Sequence, residues 1–201
     1  MVQYIVRDVL GVFRYLSYGL IPGILVAAIL GMFNRGRRRR GEEPLPVVAI
    51  SCLVVYVVVV LCITFLSREL GSRVRKVDME LFSTWGRTRR THAFVIENVL
   101  LFVPYGYLLA WNVKPMRNVF RATFAGMLSS LLIEGLQLLT GRGYFQIDDV
   151  LTNTLGALIG ACIFGIGYGW RMKRKHYANV RSDCTVRGHA DRDSKDNFVR
   201  R

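Results

Sequence analysis

Several routes to a function are closed by what this chain lacks. Of its three histidines only His92 lies outside the charged C-terminal stretch, so no nucleophile–His pair stands ready for covalent hydrolysis. The four cysteines show no Cys-x-x-Cys or Cys/His spacing, which argues against a zinc site or a disulfide framework. Cys52, Cys62 and Cys162 sit inside apolar blocks, where cysteine behaves as a small hydrophobe, and Cys184 lies in the charged tail. No metal or cofactor is expected. Acid is scarce: 14 Asp and Glu face 28 Lys and Arg, a net charge of +14. That balance invites a nucleic-acid reading, yet the bases are not interleaved with aromatics as such surfaces are, and no nucleic-acid partner is expected. Basic residues gathered at the cytoplasmic face of a membrane, touching anionic lipid, account for the charge better.

What the chain has is hydrophobic length. Apolar residues make up 52% of it, and they come in long blocks. In Val47–Leu66 only Ser51, Tyr56 and Thr64 carry polar groups besides two cysteines. A helix rising ~1.5 Å per residue needs about twenty such residues to cross ~30 Å of hydrocarbon. A soluble helix is rarely apolar all round for so long. The expected fold is therefore all-α: a polytopic transmembrane helical bundle of about five spanning helices.

The spans are read at Tyr15–Phe33, Pro46–Leu66, Ala93–Asn112, Val119–Leu139 and Asp149–Trp170. The first is expected to be broken at Pro22-Gly23. Arg7 and Arg14 ahead of it resemble a signal peptide, but the stretch is long and lacks a clean cleavage site, which favours a retained helix. Three regions follow: 1–45, the first helix and a basic linker; 46–170, a membrane core; and 171–201, a basic tail with too little apolar content to fold alone. The linker Arg35–Arg40, the Lys114/Arg117/Arg121 loop and the tail hold most of the basic residues and fall on one side, read as cytoplasmic at a multi-pass cell membrane. The Ser67–Thr91 connection, also basic through Arg68, Arg73, Arg75, Lys76, Arg87, Arg89 and Arg90, then lies outside. Its length and its acids Glu69, Asp78 and Glu80 weaken the rule there.

One cluster carries chemistry. Gly126, Ser130, Glu134 and Gln137 share one face of the fourth span, and Asp149, Asn153, Gly156 and Gly160 one face of the fifth. Glu134 lies roughly 8–9 Å from its helix end, where a carboxylate needs a partner or water. The connection between the two spans is short, so they should be antiparallel neighbours with opposed polar faces. Gly156-x-x-x-Gly160 should let them approach closely. Arg142 is placed to pair with Glu134, Asp148 or Asp149, and the third span brings Glu97 and Asn98 to the same end. Each member has a plainer account: Asp148 or Asp149 as a helix cap, Gln137 and Asn153 as interhelical bonds, Arg142 at lipid headgroups. Glu134 is the hardest to explain so.

At these residues the sequence resembles the VanZ-like family. The segments are Glu97–Gly106, with its Asn-x-x-x-Phe-x-Pro-x-Gly pattern; Ser130–Gln137, with Ser…Glu-x-x-Gln; and Gly141–Gly156, with Arg…Asp-Asp…Asn-Thr-x-Gly. The resemblance spans about Pro46–Trp170 and implies a four-helix core, to which the first helix is an addition. The family's named member is associated with resistance to teicoplanin, which acts on peptidoglycan precursors at the outer membrane face.

Three functions follow as expectations. The first is a membrane-embedded binding or accessory protein engaging a lipid-linked envelope component or a lipophilic glycopeptide. Asn98, Gln137, Arg142, Asp148 and Asn153 would contact the ligand, and membrane lipids would be further partners. The second is an intramembrane enzyme acting on such a lipid, with Glu134 as general acid/base, Asp149 beside it, and Asp148 and Asp149 able to hold a divalent cation. The third is a structural membrane protein whose polar residues are packing glue.

Overall fold

The computed structural model describes residues 2–66, 71, 77–82 and 89–199. The basic residues Arg68, Arg73, Arg75, Lys76 and Arg87 of the long connection lie outside them. Five helices among the described residues are long and apolar enough to cross a membrane: spans Phe13–Arg39, Val47–Phe65, Thr91–Asn112, Val119–Thr140 and Ile147–Arg174. They coincide with the five apolar blocks of the sequence, and the protein is a multi-pass, all-α membrane protein.

The first helix, α1 (Val2–Arg39), runs unbroken through Pro22. The expected break at Pro22-Gly23 is absent. Proline removes one backbone donor, but in lipid the alternative is an irregular segment with many unpaired groups, so the helix persists. Gly23 serves contact instead. A Cβ there would strike the Val55 side chain of α2 (Val47–Leu61), and one on Gly19 would lie 2.7 Å from the Val55 carbonyl oxygen. Only 11% of the α1 spanning window is buried, which makes α1 the outermost of the five. Asn34 closes the turn into α2, accepting from the Leu45 N–H at 2.8 Å and donating to its carbonyl at 3.0 Å.

α2 ends in a π-helical turn, Cys62–Leu66. α3 (Arg89–Asn112) is locked to the start of α2 by Asn112, whose Nδ2 donates to the Ala49 carbonyl at 3.0 Å. Asn118 caps α4 (Val119–Thr140) by accepting from the Arg121 N–H, and Gly141 ends it at φ 63°, the left-handed conformation glycine adopts without steric cost. The buried residues of α4 are Ala122, Gly126, Ser130, Glu134 and Gln137: the face read from the sequence.

A two-residue strand, β2 (Phe145–Gln146), leads straight into α5 (Ile147–Val199), so α4 and α5 are joined by a few residues, as expected. β2 pairs in parallel with β1 (Val77–Asp78) of the long connection, Val77 opposite Phe145 and Asp78 opposite Gln146. The Gly71 N–H also donates to the Thr140 carbonyl at 3.3 Å, so this connection is tied down at the α4–α5 corner.

The expected contact of Gly156 and Gly160 with α4 needs correction. Added Cβ atoms there would meet α3: the Val99 carbonyl and Phe102 Cβ at Gly156, the Val103 carbonyl and Tyr107 nitrogen at Gly160. The α4 contact is made by Ala157 against Gly126, while Ala157 also abuts Gly106 of α3. Successive residues are turned by about 100° around a helix, so 156/160 and 153/157 form two stripes, one for each neighbour. α5 thus lies in the groove between α3 and α4.

The described chain divides into two compact units, 1–164 and 165–201. The second is the remainder of α5, helical to Val199. Extending an existing helix adds one bond per residue without a new nucleus. This continuation leaves open the expectation that the tail does not fold in isolation.

Candidate functional site

At the end of the bundle away from the 35–40 linker, the C-terminal ends of α2 and α4 meet the N-terminal ends of α3 and α5. A cavity of about 90 Å³ opens there. Its polar wall is Thr64, Asn98, Glu134, Gln137, Asp149 and Asn153; Ile63, Leu101, Phe102 and Ile133 complete it. Five residues singled out from the sequence, drawn from three helices, therefore share one small space.

Each is held by a distinct bond. Glu134 is 3% exposed and accepts from the Gln146 N–H at 3.2 Å, so the β2 backbone reaches its carboxylate. Asp149 Oδ1 accepts from Asn98 Nδ2 at 2.8 Å, tying α5 to α3. Asn153 Nδ2 donates to Ser130 Oγ at 2.8 Å, tying α5 to α4. Gln137 Nε2 reaches the Thr64 carbonyl over a long 3.4 Å. The Thr64 hydroxyl bonds the Val60 carbonyl of its own helix at 2.8 Å. Below the cavity, Tyr105 OH and Ser129 Oγ share a 2.7 Å hydrogen bond, and Tyr56 OH donates to the Leu101 carbonyl at 2.7 Å.

Two of the expected residues stand elsewhere. Arg142 is not on the cavity wall and makes no ion pair among the described residues. Its Nη1 donates to the Phe65 carbonyl at 2.6 Å. The last carbonyls of a helix lack intrahelical partners, and the Gly141 turn delivers Arg142 to those of α2. With Gln137 on Thr64, it caps the π-helical end of α2. Asp148, 2% exposed, lines not this cavity but a second hollow of about 70 Å³, with Phe82, Leu151, Thr152 and Leu155. Its Oδ1 accepts from the Phe82 N–H at 2.7 Å. Phe82 itself has a φ of 62°, uncommon for a bulky residue, and this bond fixes it. The paired aspartates thus divide their work: Asp149 faces the cavity, and Asp148 anchors the long connection.

Sequence reasoning missed Thr64 and the connection. Thr64 carried a usable signal, as one of three polar groups in an otherwise apolar span, since such groups turn inward. The return of Val77–Phe82 to the α4–α5 corner had none: it rests on strand pairing and a side-chain bond between segments 66 residues apart.

A sequence profile of the VanZ/LLP1 family matches residues 53–168, more than half of the chain. The chain belongs to that family. It is similar to Protein VanZ of Enterococcus faecium, with 33% identity over 92 residues, 46% of this chain and 54% of that protein. It therefore spans about half the length of the curated relative it matches. No solved structure matches.

Proposed function

We propose that this VanZ/LLP1 family member is a membrane-embedded binding or accessory protein whose Glu134 cavity faces outward and engages a lipid-linked envelope component or a lipophilic glycopeptide such as teicoplanin. The observation that carries the reading is the convergence of Asn98, Glu134, Gln137, Asp149 and Asn153 on one cavity at a membrane end. Buried polar groups of this density are costly in lipid and are retained where they meet water or a ligand. The outward direction is supported by the Arg35–Arg40 linker and the Lys114/Arg117/Arg121 loop, which lie at the opposite end. Arg142 now acts through α2, as a positioning residue, and Asp148 through the long connection. In cells whose teicoplanin resistance depends on this protein, Glu134→Ala should restore susceptibility, whereas Gly135→Ala, with open space at its Cβ, should not. Unchanged resistance with Glu134→Ala protein at normal membrane levels overturns the reading.

The enzymatic alternative is favoured by the presence of Glu134 and Asp149 on one wall, as an acid/base pair requires. Turnover of a lipid-linked precursor by purified protein, abolished in Glu134→Gln, is its test.

A further inference from the structure

The segment that returns to the α4–α5 corner carries its apolar side chains outward. Val77, Met79, Leu81 and Phe82 are 53–63% exposed. Its backbone, by contrast, is bonded within the protein. β1 pairs with β2, the Glu80 N–H donates to Asp78 Oδ1 at 3.1 Å, and the Phe82 N–H donates to Asp148 Oδ1 at 2.7 Å. A loop in water can give its N–H groups to solvent and seldom shows so much apolar surface. Beside lipid the balance reverses: apolar side chains face out, and backbone groups must find partners in the protein.

The surroundings of Phe82 show which of the two applies. Phe82 shares its hollow of about 70 Å³ with Leu151 and Leu155 of α5. These two are each 46% exposed, and with Ile159 and Ile163 they form an exposed apolar stripe along a helix that crosses the membrane. They stand ~6 and ~12 Å along α5 from Ile147. Phe82 therefore reaches the lipid-facing side of a span, below its first turn. The polar residues of the hollow are engaged, Asp148 with the Phe82 N–H and Thr152 Oγ1 with the Asp148 carbonyl at 2.9 Å, so its open wall is apolar. Charge limits the depth. Asp78 and Glu80 cannot enter the centre of a bilayer, and in sequence Arg75 and Lys76 precede the stretch while Arg87 and Arg89 follow it, a composition suited to lipid headgroups.

We infer that Val77–Phe82 is inserted in the membrane surface at the Glu134 end of the bundle, with Val77, Met79, Leu81 and Phe82 among lipid acyl chains that also cover the hollow. The partner is the bilayer itself. A protein partner would have to cover the segment and the lipid-facing stripe of α5 together. The inference goes beyond the reading of the Glu134 cavity and holds whatever that cavity binds. It makes lipid a near neighbour of the site, because Asp78 pairs with Gln146, whose N–H donates to Glu134.

The test places a single tryptophan in the full-length protein, in bilayer nanodiscs of phosphatidylcholine. Met79→Trp, Leu81→Trp and Phe82→Trp are each made in a chain whose own Trp85, Trp111 and Trp170 are changed to phenylalanine. Emission should fall about twofold in lipids brominated near the ester end of the acyl chain, the level of a side chain buried ~5–10 Å. Lipids brominated near the chain terminus should quench less, and aqueous iodide should quench least. If the altered background does not fold, the same substitutions in the native chain, with the parent's emission subtracted, give the same reading. Strong quenching by iodide without quenching by the brominated lipids puts the segment in water and overturns the inference. Insensitivity to every quencher, which means burial inside the protein, overturns it too.

Discussion

Asn98 and Ser130 hold α5 from opposite sides, and their bonds should differ in strength. Asn98 donates to a carboxylate, whereas Ser130 accepts from a neutral amide. Hydrogen bonds to charged groups contribute ~1.5–3 kcal/mol, while neutral interhelical bonds in membranes average ~0.6 kcal/mol. Asn98→Ala should therefore lower unfolding stability in mixed micelles by about 2 kcal/mol, and Ser130→Ala by well under 1 kcal/mol. Equal losses would mean that the Asp149 carboxylate is satisfied without Asn98. Arg142→Ala belongs with Asn98→Ala, because it strips the partner from the Phe65 carbonyl at a part-buried helix end.

At the level of helices, two stripes of small residues place α5. Gly160→Ala would drive a methyl group into the Val103 carbonyl and the Tyr107 nitrogen, both backbone atoms that cannot swing aside. Overpacking of this kind costs ~1–3 kcal/mol, and the loss should appear as a lower Tm together with a weakened site. Gly135→Ala meets nothing and should be neutral or stabilising by up to about 1 kcal/mol, as for a glycine inside a helix with room for a methyl group. Similar Tm shifts for the two variants would contradict the placement of α5 between α3 and α4. The helices themselves were legible in the sequence because length and hydropathy decide them within a few residues. The buried face of α4 was legible too, through the spacing of Gly126, Ser130, Glu134 and Gln137. The partner of each glycine was not. A stripe of small residues announces that some helix comes close, and only packing says which one.

Across the whole molecule, orientation is a question of charge. The linker and the 114–121 loop lie together, and a C-terminal fluorescent fusion should light up in the cytoplasm while a C-terminal periplasmic-type phosphatase fusion stays inactive. The opposite pattern would turn the Glu134 cavity inward and end the proposed function. Replacing Arg37–Arg40 with glutamine should produce a mixture of the two orientations. The division of Asp148 from Asp149 lies at this scale as well. Nothing in adjacent identical residues says that one faces a cavity and the other grips Phe82, because the grip depends on a segment 66 residues earlier in the chain. The same tether has a consequence for biogenesis. Val77–Phe82 leaves the ribosome well before the residues it must bind, and its partners Phe145, Gln146 and Asp148 arrive with the start of the final span. Until those residues are made, the 77–82 segment lacks these partners, and both Glu134 and the α2 end wait without their Gln146 and Arg142 contacts. The cavity is therefore completed in a single late step, when α5 enters the membrane. A translation product that stops short of it carries four helices and no site.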